Sequence, residues 1–198
     1  TPTHQVTSSG PGWSTFLTGV WVDQHKVPNN SYSNPDFENN PAYLETLEES
    51  VAGLYTASII NWSPIDTHTI STVDDSNSSM DFRSTPGGDA NVTSVTVSQI
   101  AGLNNVDPAA IFVHFDEVDG TGHGSGSASA AYGAEIEEKD NQIGMMLNAI
   151  SNRANFANED WHVAALDIDH DGLASLPKDG IQPIWCDLSS EESIRAAV

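Results

Sequence analysis

The stretch Ala109-Ala-Ile-Phe-Val-His-Phe115, followed at once by Asp116-Glu-Val-Asp-Gly-Thr-Gly-His123, decides the fold. Its first half reads as a continuous apolar run that ends in acidic residues. A strand with one wet face alternates apolar and polar positions, whereas a strand covered by helices on both faces does not. The run therefore predicts a buried parallel strand, and the Gly- and Ser-rich residues 120–129 predict the loop at its carboxyl end. Downstream, Tyr132–Arg153 has helical spacing, with Ile136, Ile143, Leu147 and Ile150 on one stripe and Met146 beside it. Trp161–Ile168 is a second short apolar strand. Strand, loop, helix and strand in that order predict a right-handed crossover. The fold class is α/β, a mostly parallel sheet with helices on both faces. Ligands gather at the carboxyl ends of such strands, here after Phe115 and after Ile168.

Upstream, residues 1–40 are rich in Gly, Pro, Ser and Asn and predict loops around a short helical segment, Trp13–Leu17. Pro41–Leu54 predicts a helix: Pro41 suits a first turn, and Leu44, Leu47, Val51 and Leu54 share one face opposite Glu45, Glu48 and Glu49. Tyr55–Trp62 is β-branched and aromatic enough for a buried strand. Residues 63–92 read as a polar surface excursion, and Val95–Leu103 as a short helix.

The chain has 198 residues, enough for one domain over 1–198 with a real core, and 38% of them are hydrophobic. With 28 acidic and 6 basic residues the net charge is −22. Such a surface repels duplex nucleic acid and anionic membranes and favours cations. Adaptation to saline water and cation binding both fit; the acids are spread along the chain, which favours the first. Cys186 is the sole cysteine, so neither an intrachain disulfide nor a Cys-based zinc site can form. No apolar run reaches the roughly 18–20 residues of a membrane span. The opening Thr1-Pro-Thr-His lacks an initiator Met, which suggests a processed or truncated start; the expected location is exported, periplasmic or extracellular. Sequons stand at Asn29, Asn61, Asn77 and Asn91.

Three segments carry chemistry. Ser9-Gly-Pro-Gly-Trp-Ser-Thr-Phe-Leu-Thr-Gly19 places a serine before a helix, where free N–H groups and the helix dipole favour an anion; a helix-capping turn is the plainer reading. Asp119-Gly-Thr-Gly-His123 sets a carboxylate and an imidazole four apart, able to reach one zinc-like ion or to be an ordinary polar loop. Asp167-Ile-Asp169-His170-Asp171-Gly172 is an acidic strand end that is costly without a cation. It offers an Asp-His metal pair or, through Asp167, Asp169 and Asp171, a calcium loop. The calcium pattern breaks at its twelfth position, Lys178, where a bidentate acid is required.

Together these segments resemble the alkaline-phosphatase superfamily, and in particular its type I phosphodiesterase/nucleotide pyrophosphatase branch. In that superfamily the nucleophile lies nine residues before the Thr of a Thr-Gly pair, which Thr18-Gly19 sets at Ser9. The branch then carries a His and an Asn, matched by His25 and Asn30. Its Glu-x-Asp-x-x-Gly-His motif is matched by Glu117 through His123, and its following helix by Glu137–Gly144. A Trp-led strand ending in Asp-His is similar to Trp161 through Asp169-His170. The resemblance implies a metal-dependent phosphohydrolase acting on a small phosphodiester or nucleotide. Ser9 would be the nucleophile, with Gly10 and Asn30 at the phosphate. Asp119 and His123 would hold one divalent metal, and Asp169 and His170 a second, zinc rather than calcium. A sulfatase is disfavoured, because Trp13 stands where sulfatases carry Arg.

Several family positions differ. The Gly after the His is Lys26, the Asn three residues after the nucleophile is Gly12, and the Gly after Asp-His is Asp171. The family's first strand with its metal-binding Asp, and a later His, have no counterpart. The expectation is therefore a sheet lacking its first strand and C-terminal part: a fragment, a chain completed by a partner or by self-association, or a decayed site with weak turnover. A non-catalytic acidic surface or assembly protein with a calcium loop is the rival from another class.

Overall fold

The computed structural model describes residues 5–70, 80–103 and 109–153, together with the backbone of two strands, Val163–Asp167 and Ile181–Trp185. The chain divides into two units, one of them Gln5–Arg153 and the other containing those two strands.

In the larger unit the elements run α1 (Ser9–Thr18), α2 (Val22–His25), α3 (Tyr43–Ser50), β1 (Tyr55–Ile60), a π-helix (Ile65–Ile70) and β2 (Phe82–Ser84). They continue with α4 (Asp89–Gly102), β3 (Ala109–His114), α5 (Glu117–Ser125) and α6 (Ala130–Ser151). The sheet is parallel in the order β2-β1-β3, with Ala57 opposite Phe82 and Ile111. In the other unit β4 (Val163–Asp167) and β5 (Ile181–Trp185) also pair in parallel, Ala165 opposite Pro183. The α/β class is observed.

Burial follows position in the sheet. The central strand β1 has five consecutive buried residues, as a strand covered on both faces must. The expected fully buried strand, β3, is less enclosed: only Phe112 and His114 are buried, and among the described residues it pairs with β1 alone. One core cluster joins Leu17, Leu44, Ile60, Ile65, Ile70 and Phe112 between the sheet and α1, α3 and the π-helix. Helix α4 packs on β1 and β3, and α6 packs on α4 and α5.

Three expectations are corrected. Residues 63–92 are more than a surface excursion: they hold the π-helix, with Ile65 and Ile70 buried, strand β2 and the start of α4. Arg83 on β2 clamps Asp66 on the π-helix through two hydrogen bonds of 3.0 and 3.1 Å, which a hydropathy pattern cannot foretell. The Gly-rich loop expected over 120–129 is largely helix, since α5 runs through Gly120, Gly122 and Gly124. Its first turn carries Glu117 and Asp119, which suit the helix dipole, and Gly122 lies so close to α6 that a Cβ there would stand 3.1 Å from the Tyr132 ring. Finally, α6 buries Lys139, Gln142 and Met146, while Ile136 and Ile143 of the expected stripe are exposed. Ion pairs rather than apolar packing set its rotation.

Candidate active site

Helix α1 begins at Ser9, one residue after an extended Ser8 (φ −139°, ψ 160°). Ser9 is exposed, and its hydroxyl makes no hydrogen bond among the described residues, so it faces outward at a helix N-terminus. The next N–H, that of Gly10, donates to Asn30 Oδ1 at 2.6 Å. The two segments touch so closely that a Cβ at Gly10 would stand 2.9 Å from the Asn29 carbonyl oxygen. With its oxygen engaged, Asn30 keeps its NH2 group free of partners among the described residues. Ser9 and Asn30, twenty-one apart in sequence, thus lie together at one helix end, with Gly10 N–H spent on holding Asn30.

A chain of buried and half-buried polar groups fixes α2. His25 Nδ1 accepts the Val27 N–H at 3.1 Å, so the ring proton is on Nε2, which donates to Thr15 Oγ1 at 3.1 Å. Thr15 in turn donates to Gln5 Oε1, which also accepts the Val22 N–H. Burial lowers the His25 pKa to about 4, keeping the ring neutral. Here His25 is a strut. Lys26, where the resemblance has Gly, caps α2 in the left-handed region at φ 61°.

Asp119 and His123 lie one helical turn apart on α5, with Asp119 Oδ2 and His123 Nε2 separated by 3.5 Å. Both are well exposed, 66% and 82%, and neither side chain has a hydrogen bond to any other group among the described residues. Two ligands each about 2.1 Å from one tetrahedral ion sit about 3.4 Å apart. The pair therefore fits a zinc-like ion in spacing, donor type and availability.

A buried polar group that hydropathy patterning conceals anchors α5. Asp89, at the start of α4 and fully buried, accepts four hydrogen bonds. Its Oδ1 takes Asn61 Nδ2 at 2.7 Å and the Asp116 N–H at 3.0 Å, and its Oδ2 takes the Glu117 N–H at 3.0 Å and Lys139 Nζ at 2.9 Å. Burial alone would raise the Asp89 pKa, but these donors outweigh it and the carboxyl stays below its ordinary value. Lys139 also reaches Glu135 at 2.8 Å and Glu117 at 3.3 Å, and its pKa is raised. The three acids bring one oxygen each within 4.8 Å of one another, a spacing that suits a metal ion, but the Lys139 ammonium stands among them as the cation. The only sequence hint was Gly87-Gly88-Asp89, a helix start that the expected surface excursion concealed.

His114 closes β3. Its carbonyl accepts the Asn61 N–H at 3.1 Å and its ring meets Trp13 of α1 edge-on. Burial lowers its pKa to about 4. Asp116 is pushed up by burial and by the charges of Asp119, Asp89 and Glu117. The helix of Ser9 and the strand that leads into α5 therefore meet at the carboxyl edge of the sheet. Asp169, His170 and Asp171 lie outside the described residues; Asp167 ends β4, opposite Trp185. No helix among the described residues is long and apolar enough to cross a membrane.

The family model of the type I phosphodiesterase / nucleotide pyrophosphatase matches residues 3–159, which is most of the chain. No curated protein matches it.

Proposed function

Because the chain belongs to the type I phosphodiesterase/nucleotide pyrophosphatase family, we propose that it is a metal-dependent hydrolase of small phosphodiesters or nucleotide pyrophosphates, with Ser9 as the nucleophile. The observation that carries this reading is the Asp119–His123 pair, 3.5 Å apart and without competing hydrogen bonds among the described residues, on the helix that follows β3. Asp119 and His123 would hold one divalent cation, zinc by donor type, and Asp169 with His170 a second. Such cations, when bound, supply positive charge to the reacting phosphoryl oxygens and lower the pKa of a bound oxygen nucleophile.

The chain's own residues do the rest. Ser9 Oγ displaces the leaving group from phosphorus, so that the serine proton ends on the departing alcohol or phosphate. Water then cleaves the seryl ester and restores the hydroxyl. The N-terminus of α1 faces the developing negative charge. Asn30, held by Gly10 through its oxygen, presents its NH2 group to a phosphoryl oxygen. Gly10, expected at the phosphate itself, instead supports Asn30, because its N–H is already engaged.

The test is turnover of a bis-nitrophenyl phosphodiester with added zinc, alongside zinc affinity from competition with a chromophoric chelator. Ser9→Ala should abolish turnover and keep zinc affinity, while Asp119→Ala and His123→Ala should each weaken zinc binding about tenfold or more. Turnover that survives Ser9→Ala, or zinc affinity indifferent to both ligand changes, would overturn the assignment.

A further inference from the structure

Helix α5 is a poor helix by composition. Three of its nine residues are glycine, each of which weakens a helix interior by about 1 kcal/mol relative to Ala. Its geometry must therefore be imposed from outside. At its C-terminal side Gly122 abuts Tyr132, and at its N-terminal side stands Asp89. We propose that Asp89 is a positioning residue for ion binding: by accepting the Asp116 and Glu117 N–H groups on its two oxygens, it fixes where α5 starts and so where Asp119 and His123 point. A start displaced by one residue would turn the pair about 100° around the helix axis.

The same carboxylate takes Asn61, which follows β1, and itself follows the turn after β2, while Asp116 follows β3. One buried acid thus ties three strand ends to the start of the helix. Both oxygens already accept two hydrogen bonds each, so Asp89 has no lone pair left for a metal in this arrangement. Lys139, from α6, supplies the countercharge that keeps the acid ionised out of water. This inference rests on the reading of Asp119 and His123 as ligands.

The experiment is a double-mutant cycle read by zinc affinity and by the visible absorption spectrum of the cobalt-loaded chain. Asp89→Asn should weaken zinc binding about 10–100-fold and alter the cobalt spectrum. In an Asp119→Ala background the same change should cost less than about twofold, because the ligand it positions is gone. Asp66→Asn, which breaks the Arg83 clamp, is the control: it lowers stability and should leave zinc affinity within about twofold. Should Asp89→Asn not fold, Asn61→Ala removes one donor to the carboxylate and should give the same pattern at smaller amplitude. An additive effect in the cycle, or affinity kept in the Asp89 and Asn61 variants but lost in Asp119→Ala and His123→Ala, overturns the inference alone. Affinity unchanged in Asp119→Ala and His123→Ala overturns the ion-binding reading, and this inference with it.

Discussion

The Trp13 indole stands edge-on to the His114 imidazole, with ring centroids 4.6 Å apart and planes at 81°. Trp13 lies one helical turn beyond Ser9, and His114 lies just before the start of α5. The contact therefore sets the helix of the candidate nucleophile against the strand that launches the candidate metal ligands. Trp13 also meets Phe16 and Phe112 edge-on, at 5.6 and 6.1 Å. Trp13→Ala should destabilise the fold by about 3 kcal/mol. It should lower turnover while leaving zinc affinity at Asp119 and His123 close to wild type. Urea unfolding and the chelator competition measure the two effects separately; an equal loss of both would show that α1 and α5 are not independently held.

The Lys139 ammonium stands among Asp89, Glu117 and Glu135. Lys139→Met should destabilise by about 3–5 kcal/mol, because it leaves a buried acid without its countercharge. Asp89→Asn combined with Lys139→Met should cost clearly less than the sum of the two single changes. Denaturant midpoints for the three variants measure this, and strict additivity would argue that the pair is not coupled.

Gly10, in the first turn of α1, packs directly against the Asn29–Asn30 segment. A methyl group would stand 2.9 Å from a main-chain oxygen that cannot swing aside. Gly10→Ala should therefore cost about 1–3 kcal/mol despite the better helix propensity of Ala. It should also push Asn30 away from the helix end and raise KM more than it lowers kcat. A stabilised Gly10→Ala protein with unchanged KM would refute the close approach.

Lys26 occupies a left-handed conformation, φ 61°, at the end of α2. A side chain there is strained, and glycine is not. Lys26→Gly should raise stability by about 0.5–1 kcal/mol, even though it removes the Lys26 Nζ bond to the Asp23 carbonyl. Thermal unfolding reads the shift directly, and a lowered midpoint would contradict it.

His25 and His114 are buried and neutral, with pKa lowered by burial from 6.5 to about 4 in each. The unfolded chain therefore binds up to two more protons between those values, so stability is full above about pH 6.5 and is lost as pH falls toward 4. Asp116, whose pKa is raised, acts in the opposite sense and offsets part of this loss at the acid end. Urea midpoints at stepped pH with chelator present should show the decline. His25→Gln should reduce its slope by about one proton.

Much of the α/β reading depended only on local pattern. The apolar run at Ala109, the β-branched run at Tyr55 and the helical spacing after Tyr132 each declare an element, because strands and helices favour different residue types and spacings. The order of those elements narrowed the topology to a parallel sheet. Short exact spacings carried the family: nine residues from Ser9 to Thr18, and Asp119 to His123. Spacing survives in sequence because neighbouring residues on one backbone have few ways to differ in position.

What lay beyond sequence were the specific polar contacts that join distant residues. Only the tertiary structure decided that α5 is a helix, since its glycines favour a loop and the N–H groups of Asp116 and Glu117 find their acceptor 27 and 28 residues upstream, on Asp89. Only it decided that α6 turns Lys139 inward, because a buried acid outweighs the apolar stripe beside it. And only it placed Asn30 against Gly10. Local pattern reports how much of a residue is hidden from water; which charge or donor awaits it there is set by chain segments that come together only in the fold.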